Sequence, residues 1–185
     1  MPTPEPRKSQ HFARYLNGFT ERGDRASLAA LRRGLGKHPG DAAEMFPYLA
    51  RWTLSPWEEE TYYLVASLFA RHQVSWPGDG PDRNLGASLA RLNVDGENPG
   101  IERRFVALLN ADREDAPDHL RHLIARLRTH EIPIDWACLI DDLNGWGSER
   151  RYVQRRWARS FWGAQPITVA DNDTAIPVTT SEWEG

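Results

Sequence analysis

The sequence has a single cysteine, only two lysines and no long run of apolar residues. Cys138 has no second cysteine to pair with, so an internal disulfide is excluded and a reducing, cytoplasmic location is predicted. No apolar segment reaches the roughly 18 residues that a membrane span needs. The polar start MPTPEPRKSQ lacks the apolar core of a signal peptide. We therefore expect no contact with a membrane.

Motifs for phosphate binding, metal binding and nucleophilic catalysis are also missing. The sequence contains no GxGxxG, GxxxxGK[ST], HExxH or CxxC pattern. His119 and His122 have helical spacing but no third ligand at a matching position. Asp141 and Asp142 would point about 100° apart on a helix, so we expect them to be solvated or to pair with arginines of a neighbouring helix. The sequence predicts no enzyme, no cofactor and no small-molecule substrate.

Helical periodicity runs through most of the 185 residues, and no strand-like alternation recurs. The predicted fold class is all-α, with two small helical bundles, or lobes, joined by a loop-rich seam. The N-terminal lobe with its connecting loop is predicted over 10–92 and the C-terminal lobe over 101–163. Residues 1–9 and 164–185 are predicted to be flexible tails.

Apolar stripes and capping residues predict how the helices begin and pack. Ser55 is the expected N-cap of a helix over 55–72, and Asp118 and Ser148 are the expected caps of two later helices. The eight tryptophans are expected mostly to fill the core. The predicted inward residues include the following: Leu28, Leu31 and Leu35; Trp57, Thr61, Leu64, Val65 and Leu68; Ile101, Phe105, Leu108 and Leu109; Val153, Trp157 and Phe161.

The basic residues are unevenly distributed. The chain has a net charge of −3, yet residues 148–159 contain five arginines and one glutamate. Arg151, Arg155 and Arg159 have i, i+4, i+8 spacing, which predicts a stripe along one outward helix face. Arginine suits phosphates because its planar fork binds two oxygens at once. From the residues alone, binding to a nucleic-acid backbone and salt bridging between the lobes remain open alternatives.

An ordered set of short motifs resembles a known family. The motifs are LRRGLG (31–36), NLGASLARL (84–92), IERRFVALLNADR (101–113), HLRHLIARLR (119–128), IDWACLIDDLNGWG (134–147) and ERRYVQRRWARSFW (149–162). Together they resemble the small subunit of the type I-E CRISPR surveillance complex Cascade, the CasB family. The resemblance covers about residues 12–163, and nothing is transferred to the two tails.

The resemblance implies which arginines contact nucleic-acid backbone, and helical spacing extends the set. His122 departs from the pattern, because a second basic residue would suit the position after Arg121. Arg25 is included because it faces away from its own apolar stripe. The arginines implied by the resemblance are Arg32, Arg33, Arg103, Arg104, Arg113, Arg121, Arg150 and Arg151, and those added from helical spacing are Arg155, Arg156 and Arg159.

The resemblance also implies a function without catalysis. Small subunits of this family pair with a second copy of themselves, contact other Cascade subunits and brace the guide RNA, the target DNA and the displaced strand of the R-loop in antiviral defence. The main alternative is a protein–protein scaffold whose arginines dock acidic neighbouring subunits. Two further alternatives are a helical enzyme with an unrecognised site and a homodimer whose arginine helix pairs with the acidic 164–185 segment of its partner.

Overall fold

The computed structural model describes residues 5–53, 55–77 and 83–163, and in these ranges the chain is helical without an extended strand. The all-α prediction is confirmed. Short 3₁₀ turns lie at Pro39–Asp41, Ala43–Met45 and Val94–Gly96. The α-helices are α1 (Lys8–Glu21), α2 (Arg25–Arg33), α3 (Phe46–Leu49), α4 (Pro56–Arg71), α5 (Leu85–Ala90), α6 (Pro99–Asn110), α7 (Ala116–Thr129), α8 (Trp136–Asn144) and α9 (Tyr152–Trp162).

Side-chain caps explain where several helices begin. The Ser55 hydroxyl accepts a hydrogen bond from the Glu58 amide at 3.3 Å, which confirms the predicted cap of α4. Asp24, Asn84, Asn98 and Asp135 cap α2, α5, α6 and α8 in the same way. None of these helices in the described ranges is long and apolar enough to cross a bilayer.

Two predicted caps are wrong. Asp118 lies inside α7, which begins at Ala116, and its carboxylate pairs with Arg121 one turn later. Ser148 lies three residues before the cap position of α9, where its carbonyl accepts from the Arg151 amide at 2.8 Å. Both residue types commonly cap helices, but the Asp118 carboxylate forms an ion pair and Ser148 contributes its backbone carbonyl to a turn.

The predicted N-terminal tail is too long, because α1 begins at Lys8 rather than after residue 9. Lys8 Nζ lies 2.9 Å from a Glu58 carboxylate oxygen, and Arg7 Nη1 lies 2.5 Å from Asp141 Oδ2. Ser9 is buried. These contacts hold the start of α1 against α4 and α8. Residues 1–4 and the predicted tail 164–185 lie outside the described residues.

Helix α4 lies at the centre of the fold and is buried on most of its circumference. It packs against α2, α7 and α8, so its buried residues extend well beyond a single stripe. Tyr62, Ala66 and Phe69 are buried although the predicted stripe omitted them. Trp57, which the stripe included, has an exposed fraction of 49%. The stripe prediction is therefore wrong at Trp57 and incomplete elsewhere, because it assumed one packed face.

Three tryptophans fill the interior. Trp136, Trp146 and Trp157 are buried, and the ring centroids of Trp146 and Trp157 are 5.0 Å apart. The indole nitrogen of Trp146 donates to the Ala111 carbonyl at 3.2 Å. The prediction of core packing is confirmed for these three, whereas Trp52, Trp76 and Trp162 are half-buried and Trp57 is exposed. The three buried tryptophans are also unavailable as stacking platforms for nucleic-acid bases.

Contacts between helices run across the predicted seam. Helices α1 and α4 pack on α8, and α5 packs on α9. The Ser88 hydroxyl donates to the Pro133 carbonyl at 2.8 Å, and the Asn84 amide donates to Ser160 Oγ at 2.8 Å. The buried apolar side chains form one cluster that includes residues from both predicted lobes. The division into lobes at 92 and 101 stays a prediction.

Acid pH is expected to destabilise the fold through His72. This side chain is 3% exposed, and its Nε2 donates to the Ile132 carbonyl at 2.6 Å. Burial holds the pKa of His72 below its usual 6.5, with Arg128 lowering the pKa and Glu131 raising it. The folded state therefore binds a proton less readily than the unfolded chain. Stability is fully present above pH 6.5 and falls as the pH drops below that value.

Urea denaturation at pH 7.5 and at about pH 5.5 measures this effect. We expect the loss of stability on acidification to be smaller in His72→Gln than in the natural chain, because that variant has no imidazole to charge. An equal loss in both proteins would contradict the assignment to His72.

Candidate nucleic-acid interface

Helices α6 and α9 lie side by side in antiparallel orientation. At one end, the Trp162 indole nitrogen donates to Glu102 Oε1 at 3.4 Å. At the other end, the Arg151 guanidinium donates to the Leu109 carbonyl. The start of α6 thus meets the end of α9, and the end of α6 meets the start of α9. Their outward faces consequently border each other on one side of the protein.

The inward faces of the pair are apolar, as the sequence predicts. Phe105 and Phe161 are fully buried with ring centroids 4.5 Å apart. Trp157 is also fully buried, beneath α5. Because these large side chains occupy one face of each helix, Arg103 of α6 and Arg155 and Arg159 of α9 lie on the exposed side.

The outward face of α9 carries Arg155, Arg159 and the half-exposed Tyr152. Arg151 is not part of the predicted helical stripe. It precedes the helix in a left-handed conformation with φ of 47°, and its guanidinium reaches the Leu109 carbonyl. The i, i+4, i+8 prediction is wrong at its first member, because the chain turns at Ser148 and the helix begins only at Tyr152.

Five arginines on or beside α6 and α9 are exposed and form no ion pair with any residue that the structure describes. We call this set the α6/α9 arginine face; its members are Arg103, Arg104, Arg150, Arg155 and Arg159. Arg104 Nη1 donates to the Gly100 carbonyl at 2.8 Å, which leaves its charge unneutralised. The acidic residues of these two segments are Glu102 and Glu149.

The arginines of α2 occupy a different part of the fold. Arg25, Arg32 and Arg33 are exposed, while Leu28 and Leu31 are buried on the opposite side of the helix, as predicted. Helix α2 packs against α1 and α4, whereas α9 packs against α5 and α6. The predicted arginines therefore lie on two separate groups of helices.

Arg113 does not present a free guanidinium group. It is half-buried, stacks on the Trp57 ring, and donates from Nη1 to the Leu143 carbonyl at 3.1 Å and from Nη2 to the Trp57 carbonyl at 3.4 Å. Burial lowers the pKa of Arg113. These contacts join the loop after α6 to α4 and α8, and the expectation that Arg113 binds phosphate stays a prediction.

Arg121 and Arg156 are engaged by carboxylates of the same chain. Arg121 pairs with Asp118 on α7, and Arg156 pairs with Asp142 on α8. Asp142 is 2% exposed and also accepts from the Trp157 indole nitrogen at 2.6 Å. Both arginines are therefore neutralised by carboxylates within the fold. The expectation that Asp142 partners an arginine of a neighbouring helix is confirmed.

Helix α7 carries two further exposed arginines that lie outside the predicted set. Arg126 and Arg128 lie on α7, which buries Leu120, Leu123 and Leu127 on its other side. The amphipathic pattern of α7 predicts that both arginines are exposed. Their i, i+2 spacing, however, does not place them in a stripe along one helix face. Positions two apart on a helix do not face each other.

Comparison with known proteins identifies the family. A sequence model of the family described as CRISPR-associated protein Cse2 matches residues 27–162. The chain belongs to the Cse2 family. A curated member, CRISPR-associated protein Cse2 of Thermus thermophilus, is 40% identical over 146 residues, which are 75% of this chain and 80% of the relative.

Solved structures of the Cse2 family share the fold. The crystal structure of CasB from Thermus thermophilus superimposes with a TM-score of 0.71 at 35% identity, covering 84% of this chain and 98% of that one. CasB from M. ruber gives 0.72 at 36% identity, covering 86% and 94%. A chain from a structure described as a CRISPR RNA-guided surveillance complex gives 0.72 at 28% identity, covering 84% and 92%. The predicted resemblance to the CasB family is confirmed.

Proposed function

We propose that this Cse2-family chain is a non-catalytic subunit of a CRISPR RNA-guided surveillance complex that holds nucleic-acid backbone on its α6/α9 arginine face. The observation that carries the proposal is a set of five exposed arginines without an ion pair in the described residues, on two adjoining helices. Family membership and the likeness to a chain of such a complex support the assignment to an assembly.

The chemistry of the face suits phosphates. A guanidinium group donates to two phosphate oxygens at once and stays charged at physiological pH. Unneutralised arginines repel one another, and a polyanion along the face relieves that repulsion. Such contacts carry no base information, so binding is independent of sequence.

Backbone contacts can stabilise an R-loop, because forming the guide RNA–target heteroduplex and opening the DNA duplex nearly balance in free energy. We assign to the α6/α9 arginine face the guide RNA–target DNA heteroduplex and the displaced strand. Arg25, Arg32 and Arg33 on α2 provide a second basic surface for nucleic acid, for other subunits or for a second copy of the chain. We also propose that the protein acts in the cytoplasm, takes part in antiviral defence and uses no cofactor.

Charge reversal in the assembled complex tests the proposal. We expect Arg103→Glu, Arg155→Glu and Arg159→Glu together to shorten the R-loop lifetime while the complex still assembles. The matched control reverses three exposed arginines elsewhere, with Arg14→Glu, Arg126→Glu and Arg128→Glu, and should leave the lifetime nearly unchanged. Failure of the first variant to assemble would instead identify the face as a docking surface for acidic neighbouring subunits.

The isolated chain provides an electrostatic prediction. Its affinity for single-stranded DNA should fall with salt, with a log–log slope of about 0.7 for each phosphate contacted. The three reversals should lower the affinity at about 50 mM salt by roughly tenfold and flatten that slope. Fluorescence anisotropy across a salt series measures both quantities. A natural-chain affinity that does not change with salt would contradict a phosphate-binding face.

A further inference from the structure

The α6/α9 arginine face lies beside the point where a strongly acidic segment leaves the described fold. Residues 164–185 contain Asp171, Asp173, Glu182 and Glu184 and no lysine or arginine. The described chain ends at Gly163, directly after α9. The family match ends at residue 162, so this acidic segment is a property of this chain outside the matched region.

We propose that residues 164–185 dock on the α6/α9 arginine face of their own chain and compete there with polyanions. Docking does not require nucleic acid, whereas the competing role rests on the proposed function. The docked segment neutralises these arginines, and a phosphate backbone displaces it because the backbone has a higher charge density.

The lengths permit docking within one chain. Helix α9 has 11 residues and is about 16 Å long at 1.5 Å per residue. The acidic segment, at roughly 3.3 Å per residue, spans up to about 70 Å when extended. Because it begins at the end of α9 that carries Arg159, its first acidic residues can fold back along the face without straining the chain.

Charge complementarity selects this surface. The described segments 99–110 and 148–163 carry seven arginines against Glu102 and Glu149. Of those arginines, Arg156 pairs with Asp142, and the Arg151 guanidinium is hydrogen-bonded to a carbonyl. The five that remain have no carboxylate partner among the described residues. Four carboxylates tethered nearby reach an effective concentration of the order of millimolar.

The test compares the full-length chain with a full-length variant that neutralises the segment by Asp171→Asn, Asp173→Asn, Glu182→Gln and Glu184→Gln. The matched control neutralises four exposed acids elsewhere in the fold, with Glu21→Gln, Asp41→Asn, Glu44→Gln and Glu97→Gln. Both variants change the net charge equally. Any difference between them therefore reports the position of the carboxylates.

The first measurement follows the arginine Nε–Hε NMR signals without nucleic acid. We expect the Arg155 and Arg159 signals to move on neutralising the segment at about 50 mM salt and to stay in place in the matched control. At about 1 M salt the natural chain and the variant should give the same signals. Unchanged signals at low salt would overturn docking, and a shift that disappears on dilution would overturn docking within one chain.

The second measurement uses a thymidine oligonucleotide as the probe. Neutralising the segment should tighten binding about threefold to tenfold at low salt, more than in the matched control, and the gain should vanish at high salt. Equal gains in both variants would overturn competition. A chain that binds no oligonucleotide in any form, yet shows the NMR shift, supports docking and overturns the proposed function.

Discussion

Gly86→Ala is expected to lower the free energy of unfolding by about 3 kcal/mol or more, the upper range for overpacking a core. Gly86 lies where α5 crosses α9, and an added Cβ would lie 2.8 Å from the Trp157 carbonyl carbon and 2.9 Å from its Cα. These are backbone atoms, which cannot rotate away as the end of a side chain can. The substitution must therefore separate the two helices and expose Trp157.

The matched control is Gly40→Ala, because an added Cβ at Gly40 meets no atom within 4 Å. Urea denaturation of both variants separates a local clash from a general effect of replacing glycine. We expect Gly40→Ala to stay within about 0.5 kcal/mol of the natural chain. A Gly86→Ala chain as stable as that control would show that α5 does not pack closely on α9.

Asp142→Ala is expected to cost about 2–3 kcal/mol of stability. The buried Asp142 carboxylate accepts from the Trp157 indole nitrogen at 2.6 Å and pairs with Arg156. Removing it leaves a fully buried indole N–H without an acceptor. Arg156 is partly exposed, with a side-chain fraction of 43%, so water compensates part of its loss.

Asp142→Asn separates the two contributions, because its amide oxygen still accepts from the indole while the negative charge is lost. We expect it to be less destabilised than Asp142→Ala, by about 1 kcal/mol. Chemical denaturation followed by near-ultraviolet circular dichroism reports both global stability and the packing of Trp157. Equal stability of Asp142→Ala and the natural chain would contradict a structural role for the carboxylate.

Local patterns in the sequence predicted the helical class and much of its burial. The stripe of Val153, Trp157 and Phe161 is correct because α9 lies on the surface and has a single packed side. Trp57 was misplaced because α4 is packed from several directions and has no single apolar stripe to read. Periodicity indicates which residues prefer burial, but only the arrangement of neighbouring helices decides how many sides a helix buries.

The arginines show a second limit of local sequence patterns, which do not predict which arginines form contacts within the fold. Arg155 and Arg156 are adjacent and look alike in sequence, yet one is exposed and the other pairs with Asp142. The difference depends on Asp142 of α8, a separate helix whose packing against α9 cannot be read from the spacing of the arginines. Arg113 is likewise held by carbonyls of Leu143 and Trp57. Contacts between distant segments, which spacing does not encode, separate structural arginines from those available to a ligand.

The packing of α1 on α8 has a consequence for how the chain folds during synthesis. Helix α1 emerges from the ribosome long before the residues of α8 are translated. Arg7 and Lys8 cannot form their ion pairs until Asp141 and Glu58, respectively, have been synthesised. The apolar side of α1 therefore stays without part of its final cover until most of the chain has been made. Folding of this protein should be completed late in translation or after release, rather than helix by helix from the amino end.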